Sequence, residues 1–153
     1  MIRKLRFEQL SRIDKKMYRF AYKTAHKSRS KNGNKRNLIG AVFYCDQRYF
    51  TGFGVMHARV GGSTCAERMA LERMYHAGYP RTKRKIKIMV VGCFADLKEN
   101  VPPRPCGPCK QRMIELYTDL GNNMDCVVVS WDRSVIEKAT YADISYWSYQ
   151  GHR

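Results

Sequence analysis

Acidic residues are scarce in this chain: 13 Asp plus Glu stand against 29 Lys plus Arg, for a formal net charge of +16 over 153 residues. A field of that sign attracts polyanions and speeds their encounter at low salt. It does not establish nucleic-acid binding, because runs such as Arg81-Thr-Lys-Arg-Lys-Ile-Lys87 also occur as plain solvated surface. Long apolar runs are missing too. Arg3, Lys4, Arg6, Arg12, Lys15 and Lys16 interrupt the first stretch, so neither a signal peptide nor a membrane span is expected, and the expected compartment is cytoplasmic. Internal repeats and low-complexity segments are absent, and a chain of this length is expected to form one domain, residues 1–153, with one core. A second Cys-x-x-Cys is also lacking, which counts against a closed zinc ribbon and a thioredoxin-like redox site.

Six cysteines are present. Cys45, Cys93 and Cys126 lie in apolar, strand-like surroundings and read as core, where a free Cys behaves as a small hydrophobe. The other three form a pattern. Cys65-Ala66-Glu67 is followed, 38 residues after the glutamate, by Pro105-Cys106-Gly107-Pro108-Cys109. Three thiolates can hold Zn²⁺ and leave its fourth tetrahedral position to water, and a carboxylate two residues from the first ligand can move protons. A structural zinc site usually closes its shell with four ligands, so the pattern points to a catalytic centre. A catalytically dead descendant that keeps zinc for stability stays open, although Glu67 is the residue such a chain would lose first.

Apolar spacing predicts a first helix within 8–28 with Ser11 as N-cap, ended by the polar stretch 28–34. Leu38 to Tyr44 and Arg48 to Gly54 read as a hairpin around Cys45-Asp-Gln47. Cys65 opens a helix that ends near Gly78, and Ile86 to Phe94 is a strand. The proline-rich loop 100–105 presents Cys106 at the start of another helix, Cys126 to Trp131 is a strand, and Ser134 to Ala139 is expected to be helical. Both cysteine blocks therefore sit at helix N-termini, whose free N–H groups and partial positive charge favour thiolates. An α/β architecture with a central mixed sheet covered by helices follows from this order.

Residues 64–71, Thr-Cys-Ala-Glu-Arg-Met-Ala-Leu, and 105–111, Pro-Cys-Gly-Pro-Cys-Lys-Gln, resemble the two motif blocks of the small three-cysteine cytidine deaminases, whose zinc signature has this form. The resemblance covers about residues 38–131, between the N-terminal helix 8–28 and the aromatic tail 134–153. It implies a three-layer cytidine deaminase-like fold and a Zn²⁺ cofactor held by Cys65, Cys106 and Cys109. Glu67 would be the catalytic proton carrier, and Arg68 would offset the negative charge of the thiolates. Substrate contact is implied at Ala66. The implied reaction converts a cytosine-containing small molecule to its uracil form with release of ammonia, and the family usually forms homotetramers. Tyr146, Trp147 and Tyr149 would then pack either near a neighbouring subunit's site or in the local core.

The pattern also departs from the family. Nucleoside-specific members carry Asn-x-Glu nine to eleven residues before the first cysteine, whereas 52–64 here contains neither Asn nor Glu. Asn37 stands near the place of an expected phenylalanine. His57 and Arg59 occupy the altered stretch as candidate substrate contacts. Together with the basic surface they keep a nucleotide, or a nucleic-acid cytosine, as the alternative substrate class, with an RNA- or DNA-binding protein as the non-enzymatic form of that reading. The Gly61-Gly62 pair resembles deaminases of blasticidin-type antibiotics.

Overall fold

In the computed structural model, which describes residues 1–30, 37–56, 63–82, 85–95, 97–120, 124–140 and 143, the chain runs β1 (Arg3–Leu5), a 3-10 turn (Phe7–Gln9), α1 (Arg12–Ala25), β2 (Arg29–Ser30), β3 (Leu38–Cys45) and β4 (Arg48–Phe53). It continues through β5 (Val55–Met56), α2 (Ala66–His76), β6 (Ile86–Cys93), α3 (Gly107–Leu120), β7 (Met124–Ser130) and β8 (Ile136–Thr140). Six strands form one mixed sheet in the order β1-β8-β7-β6-β3-β4, with only β6 and β7 parallel, while β2 and β5 pair separately. The parallel pair is joined through α3, as a parallel crossover requires.

Alternation along the strands divides the core in two. Ala41, Phe43, Cys45, Ile88, Val90, Cys126 and Val128 pack with Ala66, Ala70, Leu71 and Met74 of α2 and Cys109, Met113 and Leu116 of α3. Their neighbours Val42, Met89, Val91, Val127 and Val129 pack with Met17, Tyr18 and Ala21 of α1. The sheet therefore carries α1 on one face and α2 with α3 on the other, and complete burial of a side chain such as Phe43 or Met74 contributes about 1.5–3 kcal/mol.

Local chemistry agrees with most of the expected boundaries. Ser11 caps α1: its Oγ accepts from the Asp14 N–H at 3.1 Å while Asp14 accepts from the Ser11 N–H at 3.3 Å, a reciprocal capping box. Asp14 also takes the Lys87 ammonium at 3.0 Å, which fastens the helix to β6. Asp46 and Gln47 both have positive φ, 48° and 64°, as the two-residue turn of a tight hairpin requires. Asn37, in place of the expected aromatic, accepts from the Ala95 N–H at 2.8 Å and ties the start of β3 to the end of β6.

One element differs in type. Residues 134–139, expected to be helical, enter β8, which pairs antiparallel with both β7 and β1. Glu, Lys and Ala there favour a helix, but Val135 and Ile136 are β-branched and β7 would otherwise expose an edge, so sheet pairing overrides propensity. β1 had no sequence signal of its own. The aromatic tail residues Tyr141, Tyr146, Trp147 and Tyr149 lie outside the described residues. Among the described residues no helix is long and apolar enough to cross a membrane.

Candidate active site

Two helix starts converge to make the site. Cys65 is the N-cap of α2, with extended backbone (φ −72°, ψ 150°) and no side-chain capping bond, so its sulfur is not spent on the helix. The approach to it is fixed by Thr64, which exchanges both backbone bonds with Val55 at 2.9 Å. On the other side Cys106 directly precedes α3, and its carbonyl accepts from the Lys110 N–H at 2.9 Å. Pro108 sits in the first turn of α3, where its missing N–H costs no helical bond.

Glycine sets how closely α2 approaches the sheet. A Cβ on Gly52 of β4 would stand 2.3 Å from the Ala66 carbonyl oxygen and 2.5 Å from the Ala70 nitrogen. Only a residue without a side chain lets the first turn of α2, which carries Ala66 and Glu67, lie this close to the strand.

The sulfurs of Cys65, Cys106 and Cys109 come together within 4.8 Å of one another, with Cys65 to Cys106 at 3.6 Å and Cys106 to Cys109 at 3.3 Å. Sulfurs sharing one tetrahedral zinc at ordinary Zn–S lengths stand about 3.8 Å apart. The spacing thus fits a single ion, and the soft donor set selects Zn²⁺ over oxygen-seeking cations. Among the described residues no other group of His, Cys, Asp and Glu converges in this way. Cys45 and Cys126 are buried in the core and Cys93 is half-buried.

Glu67 lies in the first turn of α2 with only 7% of its surface exposed. Its Oε2 is 3.8 Å from the Cys109 sulfur, beside the cluster. Burial raises its carboxyl to about 7, within the range where a proton carrier works at neutral pH. Hydrogen bonding first with Cys109 and then with Cys65 holds Cys106 well below the ordinary thiol range, and the contact with Cys106 is the first cause pushing the other two thiols up.

Arg68 follows Glu67, is half-buried, and lines a small cavity with Glu67, Cys109 and Arg112. Arg112 is engaged by Glu72 at 3.0 Å and Glu115 at 3.5 Å. Arg68 has no carboxylate partner among the described residues. Ala66 is buried at the first helical position of α2, where the backbone N–H has no intrahelical acceptor. His57 and Arg59 lie outside the described residues.

A pair that the sequence did not reveal supports the second cysteine block. Arg104, two residues before Cys106, donates to Glu137 of β8 through Nε at 3.0 Å and a terminal nitrogen at 2.9 Å. Both side chains are largely buried, 18% and 6% exposed, and this bidentate contact ties the proline-rich loop to the sheet. The alternation of Val135, Glu137 and Ala139 was the available signal, hidden by the helical reading. A larger cleft of about 350 Å³ lies elsewhere, between the 3-10 turn and the β7–β8 turn, and holds none of the converging sulfurs.

Residues 11–120 match the family model described as the cytidine and deoxycytidylate deaminase zinc-binding region. A curated relative, cytidine deaminase of Halalkalibacterium halodurans, is 34% identical over 82 residues, which span 53% of this chain and 56% of that protein. The chain thus aligns with little more than half the length of that relative. Among solved structures, cytidine deaminase of Burkholderia pseudomallei superposes with a TM-score of 0.68 at 26% identity, covering 88% of this chain and 96% of that one. Cytidine deaminase of Mycobacterium leprae gives 0.59 at 22% identity over 88% and 98% of the two chains, a likeness of fold.

Proposed function

Because the chain belongs to the cytidine and deoxycytidylate deaminase zinc-binding family, we propose that it is a zinc-dependent hydrolase that deaminates a cytosine-containing nucleoside or related small molecule. The observation that carries the reading is the buried Glu67 carboxyl, 3.8 Å from a sulfur of the three-cysteine cluster. Cys65, Cys106 and Cys109 would hold the metal. When bound, zinc supplies the Lewis acidity that makes water a usable nucleophile at neutral pH.

Glu67 manages the protons. It accepts one as water adds to C4 of the ring and passes it to ring N3. It then takes the remaining proton from the new C4 hydroxyl and delivers it to the amino group, so that the C4–N bond breaks, the C4 carbonyl forms and ammonia leaves. No electrons change hands, and one water is consumed for each ammonia released. The side chain can serve in both directions because burial keeps its two protonation states close in energy near neutral pH. The free N–H of Ala66 is the backbone donor facing this region in the reading, and Arg68 lowers the cost of gathering three thiolates.

His57 and Arg59 are assigned to the part of the substrate beyond the base, since 52–64 lacks the ribose-holding Asn-x-Glu. That replacement keeps a nucleotide or an antibiotic of the blasticidin type among the substrates to be tried. The homotetramer implied by the resemblance belongs to the same reading, and light scattering on the purified protein tests it.

Loss of absorbance on cytidine, deoxycytidine, their monophosphates and blasticidin S tests the activity. Turnover is expected on at least one, with Glu67→Gln slowing it about 10²–10⁴-fold while zinc content stays unchanged. A zinc-loaded protein inactive on all of them would defeat the proposal.

A further inference from the structure

The outer face of α1 has a composition that core packing does not explain. Arg12, Lys16, Arg19, Lys23 and then Lys27 are all exposed, and at about 100° per residue they fall on one stripe along the helix and its C-terminal end. None has a carboxylate within ion-pair distance among the described residues. The helix has a single acidic residue, Asp14, which is buried and committed to Lys87 at 3.0 Å. A merely solvated helix face usually intersperses both signs. Here repulsion is left uncompensated over 14 residues.

Aromatic rings flank the stripe. Phe20 and Tyr22, 37% and 36% exposed, fall roughly 80° to one side and the other of its midline. Four large apolar side chains are exposed among the described residues, and these two stand on this one helix. Each belongs to a ring cluster that reaches beyond the helix. Phe20 meets Tyr49 of β4 at 5.1 Å, and Tyr22 stacks on Trp131 at 4.7 Å and 24°, with His26 against both. The Lys16 ammonium lies 5.0 Å from the Tyr49 ring centre and 5.9 Å from that of Phe20.

A row of cations between accessible rings suits a partner with both a charged backbone and flat apolar faces. An anionic membrane would use the first feature, but the apolar side of α1 is already consumed by the sheet. An acidic peptide would leave the rings without a matching surface. Duplex nucleic acid keeps its base faces stacked inside. We infer that the outer face of α1 is an interface for single-stranded nucleic acid, on the opposite side of the sheet from the cysteine cluster. The inference does not depend on the deaminase reading, since α1 contributes nothing to the site.

The helix is seated firmly enough to act as a fixed platform. A Cβ on Gly40 would fall 2.0 Å from the Ala21 carbonyl oxygen, so α1 rests directly on β3 and its outer side chains project from a rigid base.

Fluorescence anisotropy with labelled oligodeoxythymidylate, which has no cytosine, isolates this face from the catalytic site. Five phosphate contacts predict log affinity falling with log salt at a slope of about −3.5. Lys16→Gln with Lys23→Gln should reduce that slope by about 1.4. Tyr22→Ala should weaken binding at least about fivefold while leaving the slope in place, and Glu67→Gln should leave binding unchanged. All the altered α1 side chains are exposed, and circular dichroism confirms that the variants fold. An unchanged slope in the double lysine variant would overturn the inference, as would duplex binding as tight as single-strand binding. Equally, binding to phosphatidylserine vesicles without binding to the oligonucleotide would transfer the surface to membranes and refute it.

Discussion

In the proposed reaction Glu67 and Arg68, adjacent in sequence, would have different tasks, one moving protons and the other offsetting charge. Three thiolates with Zn²⁺ would leave a net charge of −1, which weakens the metal as a Lewis acid, and Arg68 stands beside Glu67 and Cys109 with no carboxylate partner among the described residues. Arg68→Gln is therefore expected to give a folded, zinc-loaded protein whose kcat falls roughly tenfold, a loss of about 1.4 kcal/mol. Unchanged kcat with full zinc would remove that role. Glu67 gives a second expectation in the metal-free protein. Its carboxyl is raised from 4.5 to about 7 by burial, so the folded state binds the proton more readily than the unfolded chain. The stability it contributes is complete below about pH 4.5 and is lost as pH rises through about 7, amounting to roughly 3 kcal/mol. Urea denaturation of the chelated protein at pH 5 and pH 8 should show this loss as a difference from Glu67→Gln, which keeps the pH dependence of every other group, Cys106 included.

At the scale of elements, the position of α2 depends on Gly52. Gly52→Ala would drive a methyl group into the backbone of the first turn, so the helix must move or the strand must bend, at a cost of about 1–3 kcal/mol. Zinc affinity should fall along with stability, because the displaced turn begins at Cys65 and carries Glu67; chelator competition read beside a thermal melt measures both. Much of this was legible in advance. Ser11, the two cysteine blocks and the hydrophobic strands announce themselves locally, through a cap, a ligand spacing and a period. β8 and the Arg104–Glu137 contact did not, because their residues favour a helix and a solvated loop until β7 supplies an edge to pair with and the sheet brings the two together. Gly52 carried no signal either: its neighbour in space comes 14 residues later in sequence, and nothing local marks the close approach.

For the molecule as a whole, a zinc ion shared by the three sulfurs would cross-link α2 and α3, since Cys65 caps one and Cys106 and Cys109 stand at the start of the other. The two helices also share the core on this face of the sheet and an ion pair, Arg112 to Glu72 at 3.0 Å. Removing zinc should therefore lower the melting temperature, on the order of 10 °C, and added zinc should restore it. Differential scanning fluorimetry with and without chelator decides, and an unchanged melt would mean that the sulfurs do not share an ion.

The sheet that separates α1 from the two cysteine-bearing helices also acts as a partition. Layers of this kind are spaced by about 10 Å, so a nucleotide resting against Tyr22 is out of reach of Glu67. On the proposed interface, a strand held on the basic side would work as a mooring: it would keep the protein close to a pool of bases and leave the chemistry on the far side undisturbed. Any segment both moored and read would have to pass around the rim of the sheet.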